Sequence, residues 1–409
     1  MASLFFINQY ASTPDRGFGG RFYYIAKDLQ KKGHEVTLIT SANHHLLRER
    51  PLFRGLWHNE VYDGLKVLWL KTLPYSKANS PVRVLNWFLF ALYMPFLFFL
   101  KQRPEVVHYS SPSPVGFIGV WLYSKLINAK SCFDVRDVWP ETLVAVGNIR
   151  RNHPFIRLLF IIEKFCCSKA DYVTSNLANF DLRLEELGLS TDKFSWVPNG
   201  VSIEDIEYSY ANSNIKLPSA CTEKFVVAYT GTFGEANALK QMLQVAKKML
   251  HTSDVVFLLV GHGKEREELE AYCENNLLSN VIFQDSVAKK DIYKLQALVD
   301  ILCVGAKPSE LYKYGVAPNK MYEYIYSGVP IIYYINTPNY HPIYDAGAGL
   351  EISSTSVEEF KNAIFKLKQL PKYDRDIMAQ KAKLYINKNH VYSSISLKLL
   401  KVCNVRDNS

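Results

Sequence analysis

The feature that most restricts the fold of this chain is an alternation that occurs twice: short β-rich apolar runs, each followed by a helix-length amphipathic stretch. In the first half the apolar runs are "SLFFIN", "EVTLIT", "KVLWLK", "EVVHYS", "SCFDV" and "DYVTS"; in the second they are "KFVVAYTG", "DVVFLLVG", "NVIFQ", "DILCVG" and "VPIIYYI". Strand, helix, strand predicts parallel pairing in an α/β fold. Between the two series lies "WVPNGVSIEDI", whose Pro-Asn-Gly is a turn signal, and then a polar stretch reaching Cys221. Two Rossmann-like domains are expected, residues 1–200 and 201–386, with 387–409 forming a helix that returns to the first domain. A length of 409 residues suits two such cores rather than one. Open parallel sheets bind ligands beyond the carboxyl ends of their strands, so a cleft is expected where the two sets of strand ends face one another.

The strand-to-helix loops hold the candidate donor site. In "NQYASTPDRGFGGRFYYIAKDL", Gly17, Gly19 and Gly20 lead into a helix that starts with Arg21. Glycine admits a close backbone approach and a helix N-terminus offers unpaired N–H groups, which together suit a phosphate. The run matches neither the P-loop nor a full G-x-G-x-x-G, and it also reads as a plain tight turn. "YTGTFGEANAL", with Gly231, Thr232 and Asn237, and "LVGHGKEREEL", with Gly261 and Gly263, repeat the arrangement. In "APNKMYEYIYSGVPII", Asn319 and Lys320 stand where amides and an ammonium meet a phosphate, and Glu323 lies one turn on, placed to accept ribose hydroxyls. The plainer reading is a Lys–Glu pair at i, i+3 worth a few tenths of a kcal/mol.

On the acceptor side, "FDVRDVWPETL" puts Arg136, Asp137 and Glu141 after a first-domain strand. Asp137 is the candidate base for an acceptor hydroxyl; alternatively it caps the next helix while Arg136 pairs with Glu141. His108, ending "EVVHYS", is either a ligand contact or a structural residue. The D-x-D of Asp374 and Asp376 falls in a late charged helix away from the glycine loops, and no metal site is expected there. Seven scattered cysteines without a C-x-x-C pair argue against a disulfide framework and structural zinc. The net charge of +9 suits phosphate-bearing ligands or anionic lipid, and no nucleic-acid-binding module is recognisable. The start "MASLFFINQY" reads as a first strand of a cytoplasmic protein rather than a signal peptide. Residues 84–100 hold seven aromatics and no charge, flanked by Arg83, Lys101 and Arg103. Such a segment is a core helix or, as favoured here, one inserted into a single membrane leaflet, being short of a full span.

Taken together, "PNKMYEYIYSGVPII", "YTGTFGEAN", "VPNGV", "FDVRDVWPETL", "HPFIRLL" and the N-terminal run to "GHEVTLIT" resemble glycosyltransferase family 4. They are especially similar to the branch of bacterial WbuB-like N-acetylfucosamine transferases of O-antigen and capsule assembly. The resemblance implies a GT-B fold, two Rossmann-like domains with parallel sheets facing a central cleft. It also implies a retaining transfer without cofactor or metal, from a UDP-sugar of N-acetylated type to a polyprenyl-diphosphate-linked glycan. The enzyme would sit peripherally at the inner face of the cytoplasmic membrane. Glu323 matches the second glutamate of the family's E-x7-E motif, and with Asp137 is a catalytic candidate. Gly315 stands where the first glutamate would be, leaving Tyr314, Asn319 or Lys320 to contact the donor. Thr232 and Asn237 are near the places of a frequent Arg and Lys, so the diphosphate falls to Lys320, Arg21 and helix amides. The family mechanism is a front-face exchange in which the leaving diphosphate takes the acceptor proton and Asp137 orients the acceptor. Two alternatives share the architecture: a UDP-sugar 2-epimerase-like isomerase, and a non-catalytic GT-B subunit that binds nucleotide sugar, which Gly315 favours.

Overall fold

A computed structural model describes the chain except for residues 18, 78–79, 146, 148, 354 and 406–409. The chain forms two compact units. Unit 1 is Met1–Asn199 with Tyr314–Val316 and Tyr392–Ser409; unit 2 is Gly200–Lys313 with Ala317–Val391.

Unit 1 runs β1 Ser3–Ile7, α1 Arg21–Lys31, β2 Glu35–Ser41, β3 Trp57–Tyr62, β4 Leu65–Leu70, α2 Pro81–Tyr93, a 3-10 turn Pro95–Phe99, β5 Val106–Ser110 and α3 Val115–Ile127. It continues with β6 Lys130–Val135, α4 Glu141–Ala145, α5 Pro154–Lys169, β7 Tyr172–Ser175, α6 Asp181–Glu186 and β8 Phe194–Trp196. The strand order is β3-β4-β2-β1-β5-β6-β7-β8, parallel except for β3, which pairs antiparallel with β4 across an Asp63-Gly64 turn. Every residue of β5 is buried, as a parallel strand covered on both faces requires.

Unit 2 runs α7 Ile203–Asn212, β9 Phe225–Thr230, α8 Leu239–Lys248, β10 Val255–Val260, α9 Arg266–Asn275, β11 Val281–Gln284, α10 Lys289–Gln296 and β12 Ile301–Gly305. Then come α11 Asn319–Ser327, β13 Ile331–Tyr334, α12 Pro342–Ala346, β14 Gly349–Glu351, α13 Val357–Lys368 and α14 Lys372–Asn389. Its sheet is wholly parallel in the order β11-β10-β9-β12-β13-β14. The last helix, α15 Tyr392–Val402, belongs to unit 1, where it packs on α1 and Tyr24 stacks on Tyr392 at 4.8 Å. The sequence reading placed the start of this return at 387, but α14 continues to Asn389 in unit 2 before the chain leaves.

The aromatic segment 84–100 is neither wholly core nor wholly exposed. Trp87, Phe90, Met94 and Leu97 are buried, whereas Leu85, Phe88, Leu92, Phe96, Phe98 and Phe99 face outward. Arg83, read in the sequence as a lipid-side flank, turns to the strand ends of unit 1, where its Nε donates to the Tyr10 hydroxyl at 3.1 Å.

Candidate functional site

In unit 2 the candidate site is assembled by α11. Its inner face, Met321, Tyr322, Tyr324 and Ile325, is buried. Tyr324 fixes it to the end of β9, because its hydroxyl accepts from Thr230 N at 2.8 Å and donates to Thr230 O at 2.9 Å. Residues three apart share a helix face, so this anchor sets Lys320 and Glu323 side by side beyond the strand ends. The Lys320 ammonium lies against the loop after β9. It donates to the Tyr229 hydroxyl at 2.6 Å and contacts Asn237 Oδ1 at 3.4 Å, and a Cβ added at Gly231 would come within 2.9 Å of it. Tyr229 in turn donates to Thr232 O at 2.7 Å, and Asn237 Nδ2 donates to the same carbonyl at 3.0 Å.

Lys320 is thus held by neutral oxygens. Burial brings its pKa down to about 8, against the opposing pull of Glu323. Glu323 is half-buried; burial raises its carboxyl above the ordinary range, while Lys289, Lys320 and a hydrogen bond from Tyr293 work the other way. Among the described residues no carboxylate bonds Lys320, and an ammonium seated against a glycine loop in this way is poised for an anion. The structure therefore brings together Gly231, Thr232, Asn237, Lys320 and Glu323. Asn319 opens α11 with an exposed side chain. Gly261 and Gly263 serve a different purpose from the one expected of them. Added Cβ atoms would meet Gly231 O at 1.9 Å and Phe233 O at 2.2 Å, so these glycines let one loop stack on the backbone of the other.

In unit 1 several candidates prove structural. Arg21 does start α1 after Gly19 and Gly20, both at positive φ, but its side chain is 3% exposed. Its NH1 donates to Pro198 O at 2.5 Å and Asn199 Oδ1 at 3.2 Å, and its NH2 lies 3.5 Å from Asp134 Oδ1. The guanidinium expected to meet phosphate is committed to the fold. His108 is core: its ring lies 5.3 Å from that of Phe6 and 5.1 Å from that of Phe22. Glu141 is not paired with Arg136 and does not face outward for an acceptor; it bonds Arg183 at 3.1 Å and Arg151 at 2.8 Å. Arg183 also grips Glu163 at 2.6 Å and Glu186 at 3.1 Å.

Tyr314, expected at the donor, is buried in unit 1, where its hydroxyl donates to Glu186 at 2.6 Å and its carbonyl accepts from Asn179 N at 3.0 Å. Gly315 beside it has φ +92°, and a Cβ there would lie 2.8 Å from Ala178 N. A glutamate at 315 would need both a left-handed backbone and space that Ala178 occupies. The missing carboxylate is therefore a property of how this segment is seated, not of one side chain alone.

Beyond the ends of β1 and β6 and along α2 lies a cluster that the sequence reading did not assemble. Trp87 Nε1 donates to the Tyr10 hydroxyl at 2.8 Å, the Arg83 guanidinium lies 5.4 Å from the Tyr10 ring, and Trp87 meets Trp139 edge-on at 5.3 Å. Asp137 stands solvent-accessible in the loop after β6, walled by enough protein to hold its carboxyl above the usual range against Arg136 and Arg83. The available signal was the i, i+4 spacing of Arg83 and Trp87, opposite the Leu85, Phe88, Leu92 stripe. Asp374 and Asp376 are exposed on α14, and among the described residues no cluster of metal-ligating side chains is formed.

Both halves of the chain match glycosyltransferase families. Residues 16–200 match the family described as glycosyl transferase 4-like domain, and residues 214–384 match glycosyl transferases group 1. The chain belongs to the GT-B glycosyltransferases. No curated protein sequence gives a significant match to this glycosyltransferase. Its fold is similar to sucrose-phosphate synthase from Thermosynechococcus elongatus, with TM-score 0.76 and 14% identity over 99% of this chain and 98% of that one. It is also similar to Anabaena HepE in complex with UDP-glucose, with TM-score 0.64 and 12% identity over 99% and 100%. WaaG, a glycosyltransferase involved in lipopolysaccharide biosynthesis, matches with TM-score 0.60 and 15% identity over 98% and 99%. These similarities extend over both units.

Proposed function

We propose that this glycosyltransferase moves a sugar, of N-acetylated type such as N-acetylfucosamine, from UDP to a polyprenyl-diphosphate-linked glycan of a bacterial surface polysaccharide. Transfer proceeds with retention and without metal, at the inner face of the cytoplasmic membrane. The observation that carries the donor reading is the Lys320 ammonium, held on Tyr229 and Asn237 against Gly231 with Glu323 one turn behind it. Lys320 meets the diphosphate, the Glu323 carboxylate accepts the ribose hydroxyls, and the bound UDP and UDP-glucose of HepE support uridine as the carrier. On unit 1, Asp137, Arg83 and the Tyr10, Trp87 and Trp139 rings offer a carboxylate, a cation and stacking faces to a lipid-linked sugar.

In the reaction the bond from donor C1 to the diphosphate oxygen breaks, and the acceptor hydroxyl oxygen bonds C1 on the face that the leaving group vacates. The hydroxyl proton passes to a diphosphate oxygen. Lys320 stabilises the charge that grows on the leaving group, the kind of fixed electrostatic contact that contributes most where water is excluded. Asp137 orients the acceptor hydroxyl. The test is a panel of UDP-sugars offered with a polyprenyl-diphosphate monosaccharide, in the presence of a chelator, read by mass spectrometry and by NMR of the new anomeric centre. Chelator-insensitive transfer with retained configuration is expected. Epimerised nucleotide sugar in the absence of acceptor, or inversion at C1, overturns the reading.

A further inference from the structure

The outer surface of unit 1 carries three helices that expose large apolar side chains. On α2, Leu85, Phe88 and Leu92 project at i, i+3 and i+7, and the following turn exposes Phe96, Phe98 and Phe99. On α3, Ile118, Leu122 and Leu126 project at i, i+4 and i+8; on α5, Leu158 and Ile161 project at i and i+3. These are not isolated residues. A Cβ added at Gly119 of α3 would lie 2.3 Å from Ala91 O of α2, so the two helices approach backbone to backbone and their stripes abut. Trp121 of α3 meets Phe165 of α5 edge-on at 5.3 Å, which joins the third helix. Exposure of large apolar side chains is extensive here, reaching 74% for Phe99, 68% for Ile161 and 65% for Leu92. Contiguous apolar surface on this scale marks an interaction site.

The charges choose the occupant. Residues 81–103 and 113–131 contain no Asp or Glu. On α5 the one carboxylate, Glu163, is buried and paired with Arg183. The exposed charges on and beside these helices include Lys101, Arg103, Lys125, Lys130, Arg151, Arg157, Lys164 and Lys169, with Glu105 as an exposed acid in the adjoining loop. A second copy of the chain would bring cationic rim against cationic rim. An anionic bilayer meets the apolar centre with acyl chains and the rim with headgroups. Pro81–Phe99 is long and apolar enough to cross a membrane, but Trp87, Phe90 and Leu97 hold its inner side in the core of unit 1. That anchoring makes it lie in the interface.

We infer that α2, the Pro95–Phe99 turn, α3 and α5 together form one monotopic face that rests on an anionic lipid surface, with α3 and α5 contributing as well as the aromatic segment. This rests on the membrane location proposed above and extends the contact from the aromatic segment to α3 and α5, and it is tested apart from the transfer reaction. The full chain is floated with vesicles of phosphatidylcholine alone and of phosphatidylcholine mixed with phosphatidylglycerol. Binding to the mixed vesicles is expected, weakened by high salt and weaker still to the neutral ones. Phe99→Ser, Leu122→Ser and Ile161→Ser, one on each element and all at exposed positions, should each lower partitioning by about tenfold, with melting temperature and UDP affinity unchanged. Arg157→Glu with Lys164→Glu should reduce the preference for anionic lipid, and an unchanged preference would remove α5 from the rim. Wild-type partitioning of Leu122→Ser and Ile161→Ser would confine the contact to the aromatic segment and overturn the three-helix face. A dimer in light scattering that these substitutions dissociate, without vesicle binding by the parent chain, would assign the face to a second copy and overturn the lipid reading.

Discussion

Arg21 and Lys320 sit in similar places, each in the first turn of a helix that follows a parallel strand, yet their surroundings set them opposite tasks. Arg21 is enclosed by the Pro198 carbonyl, Asn199 and the carboxylate of Asp134, which is itself held by Ser110 at 3.1 Å and Thr174 at 2.9 Å. Lys320 meets a phenol and an amide oxygen, among the described residues no carboxylate bonds it, and burial lowers its pKa against the opposing pull of Glu323. A cation whose charge is already answered holds a fold together; a cation kept among neutral dipoles is available to a ligand. The motif alone does not distinguish the two. The counter-charge does.

The strongest way to break this comparison is Arg21→Met. Removing one partner of a buried ion pair leaves the other uncompensated, and the expected loss is about 3–5 kcal/mol of unfolding free energy in urea. The UDP affinity of the folded fraction should be unchanged. Weakened UDP binding at unchanged stability would return Arg21 to the phosphate site.

Lys320→Met should behave in the opposite way. A hydrogen bond to a charged group contributes roughly 1.5–3 kcal/mol, so UDP affinity should fall by about 10- to 150-fold while stability holds or rises. The sign of the stability change follows from the titration. The folded pKa of about 8 lies below the ordinary lysine value of 10.5, so between these pH values the unfolded chain binds more protons. Stability contributed by this group therefore increases as pH rises through that window. Donor binding runs the other way, because it needs the ammonium: the UDP dissociation constant should climb about tenfold per pH unit above 8 in calorimetric titrations. A flat profile from pH 7 to pH 10 would remove Lys320 from the diphosphate site.

Why the sequence separated these cases only in part can be argued residue by residue. Both parallel sheets were legible, since runs such as "DVVFLLVG" and "EVVHYS" have the apolar composition that burial on two faces demands. The strand β3 was overlooked although its Asp63-Gly64 turn is a hairpin signal, because Trp57–Tyr62 is a mostly exposed edge with polar residues. At the sites, Lys320 and Glu323 were legible from local spacing, since a helix face is a short-range property. Arg21, Glu141 and Tyr314 were not placed by the sequence, and His108 stayed open between its two readings, because what surrounds them comes from distant sequence: Asp134 for Arg21, Arg183 for Glu141, Glu186 for Tyr314 and Phe6 for His108. Asp134 offered a clue, being a carboxylate between apolar Phe133 and Val135 in a buried strand, but its partner lies 113 positions away and no period announces it.

The finest test concerns the second charge in unit 2. Glu323→Gln keeps the shape and an acceptor oxygen but loses the charge, so the difference expected is that between a charge-assisted and a neutral hydrogen bond, about 1 kcal/mol or a fivefold weaker UDP complex. A loss of that size also follows from any small shift of α11, and the ligand separates the two causes. If Glu323 holds the ribose hydroxyls, a UDP analogue lacking both should bind the parent and the Gln variant equally. If the loss persists with the analogue, the carboxylate acts through Lys320, whose ammonium it helps to keep protonated, and the division of the site into a phosphate end and a sugar end fails.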